Sequence, residues 1–411
     1  MEMARIVAVF LLVWSALNSA AAHAQIQVAP QVTILGQEQV ARFMVTKTNP
    51  STGMPLNIDP TLATWSSSHP AIVSVSHEGE ATAHKKGRVT LKAISKLGQA
   101  TAHIEVKGKV SRIALSTAED GLREFYLYDP EAFINTRASQ PLPLIIAMHG
   151  GGGTANHMMV MSQLNAVAQE RRMLVAYPQG LGSIPTFNAG VCCGFAMHHN
   201  VDDVGYVRSI VATVSRLHSV DAHRVYATGF SNGGMMARRL ACEAADIIKG
   251  IFPVAGTYGG QDADGNQAFA CRPSHPVPVV SIHGLFDLNS PYYGGVGVGI
   301  SGTNFLPVPA ANKLHARVNN LRVFLSRKVT INQSIECDKR FKPRVPFKPF
   351  APVYDCRVAP EDTLYDADHD IVYGGGHSWP GGVQGPSDSA DFPLPGPNAA
   401  RFALDLLEGS H

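Results

Sequence analysis

Arg224-Val225-Tyr226-Ala227-Thr228-Gly229-Phe230-Ser231-Asn232-Gly233-Gly234 is the stretch whose reading decides the fold. Its first part is a β-branched and aromatic run, and its end leads into the helix-compatible residues Met235-Met236-Ala237-Arg238. Between them, Gly229, Ser231 and Gly233 fit the G-x-S-x-G nucleophile elbow. There a strand turns into a helix so sharply that only small residues fit on either side of the serine. Such a turn lifts the hydroxyl clear of the backbone and aims the positive end of the helix dipole at the reacting centre. In a chain with 38 glycines the pentapeptide alone says little, because chance supplies it readily. Its weight comes from the other parts of an acyl-transfer site, which follow in the order such a serine requires.

Upstream, Met148-His149-Gly150-Gly151-Gly152-Gly153 follows the apolar run 144–148. Glycines there let backbone N–H groups approach a developing oxyanion without side-chain clash. Gly151 and Gly152, with the N–H of Asn232, are the candidate oxyanion donors; the alternative for a four-glycine run is a plain flexible loop. Downstream, the apolar run 277–282 leads into His283-Gly284-Leu285-Phe286-Asp287, which puts a carboxylate after a strand. Near the carboxyl terminus, Gly374-Gly375-Gly376-His377-Ser378-Trp379 places a histidine in a glycine-bracketed loop. Serine, then acid, then histidine is the order expected, with Ser231 as nucleophile, Asp287 as orienting acid and His377 as base. His149, His283 and His369 are rival bases, and Asp355, Asp366 and Asp370 rival acids; none has the same strand-end setting. Tyr292, Tyr293 and Trp379 are candidate substrate contacts, although aromatic residues are more often simply packed.

From residue 113 onward, strand-like and helix-like segments alternate. The strand candidates are 125–128, 144–148, 174–177, 224–227, 251–254, 277–282 and 371–373, and the helix patterns include 203–218 and 234–246. Near-continuous apolar strands separated by helices indicate a mostly parallel sheet covered on both faces. Residues 28–106 read differently: short alternating runs at 41–45, 72–75, 89–93 and 102–106, separated by turns, suggest a small β-sandwich. Residues 294–350 read as long and irregular, with the basic and aromatic segment 339–350 either a solvated surface loop or a rim that grips a polymer or phenolic acyl group.

At 411 residues the chain has room for one large domain and a smaller one. A net charge of +2 gives no electrostatic case for nucleic acid as a partner. Arg5, an apolar run from Ile6 to Trp14 and the small-residue site Ala22-His23-Ala24 have the form of a cleaved signal peptide. Secretion, or export to a periplasm, without a remaining membrane anchor is therefore expected. In an exported chain six cysteines suggest disulfides and not a metal site, and no metal is expected. Cys337 with Cys356 and Cys242 with Cys271 are the favoured pairs, whereas the neighbours Cys192 and Cys193 are not expected to bond each other readily.

The strand-turn-strand pattern Ile72 to Ala83, followed by Lys86-Gly87-Arg88-Val89-Thr90-Leu91, resembles a group 2 bacterial immunoglobulin-like domain. Beyond it, the stretches from His149 to Gly153, Tyr177-Pro178-Gln179-Gly180, Cys192-Cys193-Gly194, Val201 to Val207, Gly229 to Met236, His283-Gly284 with Asp287, and Gly376 to Gly382 resemble the extracellular polyhydroxybutyrate depolymerase and feruloyl esterase family. That resemblance implies an α/β-hydrolase fold, a serine carboxylesterase activity and no cofactor, with Ser231, Asp287 and His377 in the triad positions. The expected plan is a signal peptide over 1–24, an immunoglobulin-like β-sandwich over 25–108 and an α/β-hydrolase domain over 109–411. The expected substrate is an ester, free or polymer-borne: hydroxyalkanoate oligoesters, or feruloyl and acetyl groups on polysaccharide. A non-catalytic binding protein on a hydrolase scaffold is the alternative from another class, and peptidase activity a third.

Overall fold

The computed structural model describes residues 26–48, 55–117, 121–132, 140–258, 260–261, 271–299, 301–322, 327–332, 334–340, 342–358, 364–366, 371–383, 391–393 and 397–409. The segment 1–24, read above as a signal peptide, lies outside them. Two compact units emerge, one within Met1–Thr33 and Arg42–Glu105, the other within Ile34–Ala41 and Val106–His411.

The first unit has no α-helix among its described residues. Ile26–Ala29, Met44–Thr48 and Pro55–Ile58 form one antiparallel sheet, and Thr64–Ser67 pairs antiparallel with Gly87–Ser95. Along Gly87–Ser95 the side chains of Val89, Leu91 and Ala93 are buried while Arg88 faces solvent. That is the period-two pattern of a strand with one face on a core.

The second unit is built on one sheet. Its strands are β1 (Gly98–Thr117, whose first part belongs to the first unit), β2 (Gly121–Asp129), β3 (Leu142–Met148), β4 (Leu174–Pro178), β5 (Val220–Phe230), β6 (Gly250–Val254), β7 (Val279–Gly284), β8 (Arg327–Asn332), β9 (Ile335–Arg340) and β10 (Val353–Val358). Their order is β1-β2-β4-β3-β5-β6-β7-β10-β9-β8. From β4 to β10 all neighbours are parallel, and both ends of the sheet are antiparallel.

The helices are α1 (Ala155–Ser162), α2 (Leu164–Arg171), α3 (Gly194–His198), α4 (Asp203–Leu217), α5 (Asn232–Glu243), α6 (Val308–Val318) and α7 (Ala399–Leu407). Alternate residues of β3 separate the two faces. Ile145 and Ala147 pack with residues of α1, α2 and α7, whereas Leu144, Ile146 and Met148 pack with residues of α4 and α5. Helices on both faces leave the parallel strands no solvent side, which is why β3 and β4 are apolar without interruption. Each fully buried Leu or Ile there contributes about 1.5–3 kcal/mol relative to exposure. This is the α/β-hydrolase arrangement expected from the sequence.

Three expectations need correction. Ile371–Gly374, read as the last strand of the main sheet, pairs instead with Leu364–Asp366 and Phe392–Pro393 in a separate three-stranded sheet; the parallel set closes with β10. The span 294–350 is not irregular throughout, because it holds α6, β8 and β9. Cys192 and Cys193 are bonded to each other across a cis peptide bond, which brings their Cα atoms within 3.0 Å. The other two pairs are those expected: Cys242 with Cys271, and Cys337 on β9 with Cys356 directly opposite on β10.

Candidate active site

Ser231 occupies the single residue between β5 and α5, with φ 53° and ψ −118°. A non-glycine residue in that region is strained by about 1–3 kcal/mol, and such strain persists only where surrounding structure enforces it. The enforcement is visible. The Ser231 N–H donates to the Val254 carbonyl at 2.9 Å, and the Ser231 carbonyl accepts from Met235 N–H at 2.9 Å. A Cβ at Gly229 would lie 2.3 Å from the Gly233 carbonyl carbon, and one at Gly233 would lie 2.3 Å from the Met148 carbonyl oxygen. Both glycines are therefore demanded by backbone packing. Ser231 keeps partial exposure while Asn232 behind it is buried.

As the first residue of α5, Asn232 has a backbone N–H without an intrahelical acceptor. Its side chain is committed elsewhere: Oδ1 accepts from Phe187 N–H at 2.8 Å, and Nδ2 donates to the carbonyls of Phe187 (2.9 Å) and Cys192 (3.2 Å). The asparagine thus ties the loop bearing the bonded cysteine pair to the elbow. The loop after β3 abuts the same turn, since a Cβ on Gly150 would stand 3.4 Å from Ser231 Cβ.

His149 braces that loop. Gly180 N–H donates to its Nε2 at 3.0 Å, so Nδ1 carries the proton and donates to the Gly150 carbonyl at 2.7 Å. Burial pushes its pKa down to about 4, which leaves it neutral at neutral pH. Gly152 is corrected as an oxyanion donor, because its N–H already donates to the Pro185 carbonyl at 2.8 Å. Gly151 has no such backbone acceptor among the described residues.

On the next strands, Asp287 follows the carboxyl end of β7 and is buried. Its Oδ1 accepts from Ser290 N–H at 2.7 Å, and its Oδ2 accepts from His377 Nδ1 at 2.8 Å. The His377 backbone is clamped to Asp391, whose carboxylate accepts the His377 N–H and whose own N–H donates to the His377 carbonyl at 3.0 Å. With Nδ1 engaged by Asp287, Nε2 is the ring nitrogen left for chemistry, and the imidazole centroid sits 4.7 Å from that of Phe230, the residue before Ser231. Gly284 makes this approach of loops feasible: a Cβ there would meet the Gly375 carbonyl oxygen at 2.2 Å.

Burial would push the Asp287 carboxyl up, but the facing charge of His377 and hydrogen bonds from His283 and His377 outweigh it and hold the group well below the usual carboxylate range. For His377 burial acts downward, and the Asp287 carboxylate overcomes it to raise the imidazole above its ordinary value. Such a pair stabilises an imidazolium formed by proton transfer.

Other candidates fall elsewhere. Tyr292 is buried, its hydroxyl donating to Asp355 Oδ1 at 3.2 Å, and Trp379 is wholly buried in the core beside Gly382. Neither forms an open pocket wall; of the three aromatic candidates only Tyr293 is exposed. Asp355 lies inside β10, where burial raises its pKa. Asp366 ends a short strand and its side chain, like His369 and Asp370, lies outside the described residues. The exposed segment 342–350 precedes β10, and Arg340 pairs with Val353 at that strand's start. Ser231 and Asp287 follow the opposite, carboxyl ends of parallel strands, so the basic and aromatic segment does not rim the elbow. Cys242, Cys271 and His315 place potential metal donors within 4.8 Å of one another, but a bonded cysteine pair offers no thiolate ligand.

One contributor escaped the sequence reading, the Asn232 side chain, and His283, read there as a rival base, instead places its Nε2 3.2 Å from Asp287 Oδ2. The sequence signal for that placement was its position four residues before the acid, within the stretch His283-Gly284 with Asp287.

Residues 23–106 match the bacterial Ig-like domain (group 2) family, and residues 130–297 match the phospholipase/carboxylesterase family. Over 152 residues the chain is 36% identical to the putative esterase NocK of Nocardia uniformis subsp. tsuyamanensis, a match spanning 37% of this chain and 42% of that protein. Over 177 residues it is 30% identical to feruloyl esterase B of Piromyces equi, spanning 42% of this chain and 31% of that protein. The chain thus spans less than half the length of these relatives. Among solved structures, acetyl xylan esterase from Aspergillus awamori superposes with a TM-score of 0.42 at 14% identity, covering 59% of this chain and 92% of that one. Together the two matches support an immunoglobulin-like β-domain followed by a domain of the α/β-hydrolase fold, part of which is similar to carboxylesterases.

Proposed function

We propose that this protein is an exported serine carboxylesterase that works through an acyl-enzyme. The observation that carries the reading is the buried 2.8 Å bond between His377 and Asp287, with the His377 ring packed on the residue preceding a strained elbow serine. Ser231 Oγ attacks the ester carbonyl and its proton passes to His377 Nε2. The N–H groups of Asn232 and Gly151 receive the charge that develops on the carbonyl oxygen. Collapse expels the alcohol, which takes the proton from Nε2. Water then attacks the acyl group, gives its proton to Nε2, and the acid leaves as Ser231 regains its hydrogen.

Feruloyl or acetyl esters on polysaccharide are the favoured substrates, because relatives similar to part of this chain bear the names feruloyl esterase and acetylxylan esterase. Hydroxyalkanoate oligoesters rest on the sequence resemblance alone. Cleavage of residues 1–24 on export, an immunoglobulin-like module over 25–108 and an esterase domain over 109–411 complete the proposed plan. Side-by-side assays with methyl ferulate, acetylated xylan and a hydroxybutyrate trimer test it. Hydrolysis of one of the first two that vanishes in Ser231→Ala is expected; equal turnover by the variant would remove the mechanism, and turnover of the trimer alone would replace the substrate class.

A further inference from the structure

We propose that His283 is a positioning residue that sets the basicity of His377 by donating a second imidazole hydrogen bond to Asp287, an inference that rests on the triad reading above. The protonation state of His283 follows from its partners. Its Nε2 lies 2.7 Å from the Ser290 carbonyl oxygen, which can only accept, so Nε2 carries the hydrogen. The same nitrogen lies 3.2 Å from Asp287 Oδ2, so its N–H stands within reach of both oxygens. Nδ1 is buried without a hydrogen-bond partner, and the side chain is fully buried.

Ser290 closes the set by donating its N–H to Asp287 Oδ1 while its carbonyl accepts from His283. Asp287 therefore receives three donors, of which only His377 belongs to the proton relay. A carboxylate whose charge is partly satisfied by a neutral N–H stabilises the facing imidazolium less than a bare one would. His283 thus tempers the rise that Asp287 imposes on His377, which keeps the base closer to the neutral form it needs.

Other charged and titratable groups among the described residues also face this pair. Asp391 faces His377 with its carboxylate, which accepts the His377 backbone N–H and whose charge also favours the imidazolium. The Tyr292 ring lies 6.0 Å from His283, with Asp355 bonded to its hydroxyl, and Arg357 is the register partner of His283 on β10.

The test compares the wild-type chain with His283→Gln, His283→Asn and His283→Met, each checked for folding by its thermal melt. Two readouts are taken: the NMR titration of the His377 imidazole, and the pH profile of kcat/KM on p-nitrophenyl acetate. A glutamine amide can donate from near the Nε2 position, whereas the shorter asparagine and the methionine cannot. Met and Asn variants are expected to raise both the His377 titration and the acid limb by about half to one pH unit, with KM unchanged and Gln close to wild type. An unmoved His377 in a folded Met or Asn variant would overturn the proposal, as would Gln moving as far as Met. If Ser231→Ala still hydrolysed the ester, the triad reading would fall, while the NMR titration would still decide the role of His283.

Discussion

At the residue scale, the chemistry is written in residue types whose roles have few substitutes. A serine between two small residues, an acid after a strand and a histidine among glycines can be picked out because each proposed role demands that residue type in a loop that follows a strand, although Asp287 and His377 are themselves buried there. The aromatic residues could not be sorted in this way, since a packed ring and a pocket wall look alike in sequence; Tyr292 and Trp379 proved to be interior. The Gly152 donor was misjudged for a related reason, because glycine identity does not reveal where an N–H points. The direction of the His377 shift carries a prediction. Catalysis needs the neutral imidazole, and Asp287 raises its pKa, so the acid limb of kcat/KM should lie above the ordinary histidine value of about 6.5. Asp287→Asn should cut kcat by about 10³–10⁴-fold and move that limb downward, as stopped assays from pH 4 to 9 would register.

Among the elements, alternation of apolar strands with helices made the parallel sheet readable, because strands buried on both faces must be continuously apolar. α6 hid itself, since Asn312 and His315 share its buried face with Val308, Ala311 and Ala316 and break the apolar period. β10 hid for the same reason, with Asp355 and Arg357 within Val353–Val358. The elbow makes the sharpest demand on any connection. Gly233→Ala would set a methyl 2.3 Å from a backbone oxygen that cannot rotate away, and a loss of about 2–4 kcal/mol in chemical denaturation is expected. The Cys242–Cys271 bond closes a segment with a sequence separation of 29. Replacing both cysteines by alanine should cost about 3 kcal/mol, read from the same denaturation midpoints.

For the whole molecule, the all-β amino-terminal domain and the α/β-hydrolase domain were distinguishable because their hydrophobic periods differ. The precise division was not, since residues 34–41 group with the second unit. Asn165 in that unit is buried; it accepts from the Tyr177 hydroxyl at 2.7 Å and donates to Gln39 at 3.0 Å. A fragment beginning at residue 109 would lose that acceptor and leave a buried amide unsatisfied. It should be less stable than the intact chain by at least about 1–3 kcal/mol, and a matching urea midpoint would refute this.

Everything turns on whether the Ser231 hydroxyl is activated. Treating the intact protein with a fluorophosphonate and mapping the adduct by peptide mass spectrometry measures that without presupposing a substrate. One phosphonyl group on the peptide containing Ser231, strongly reduced in His377→Ala, is the predicted result. An unlabelled Ser231, or labelling that His377→Ala leaves unchanged, would contradict the account.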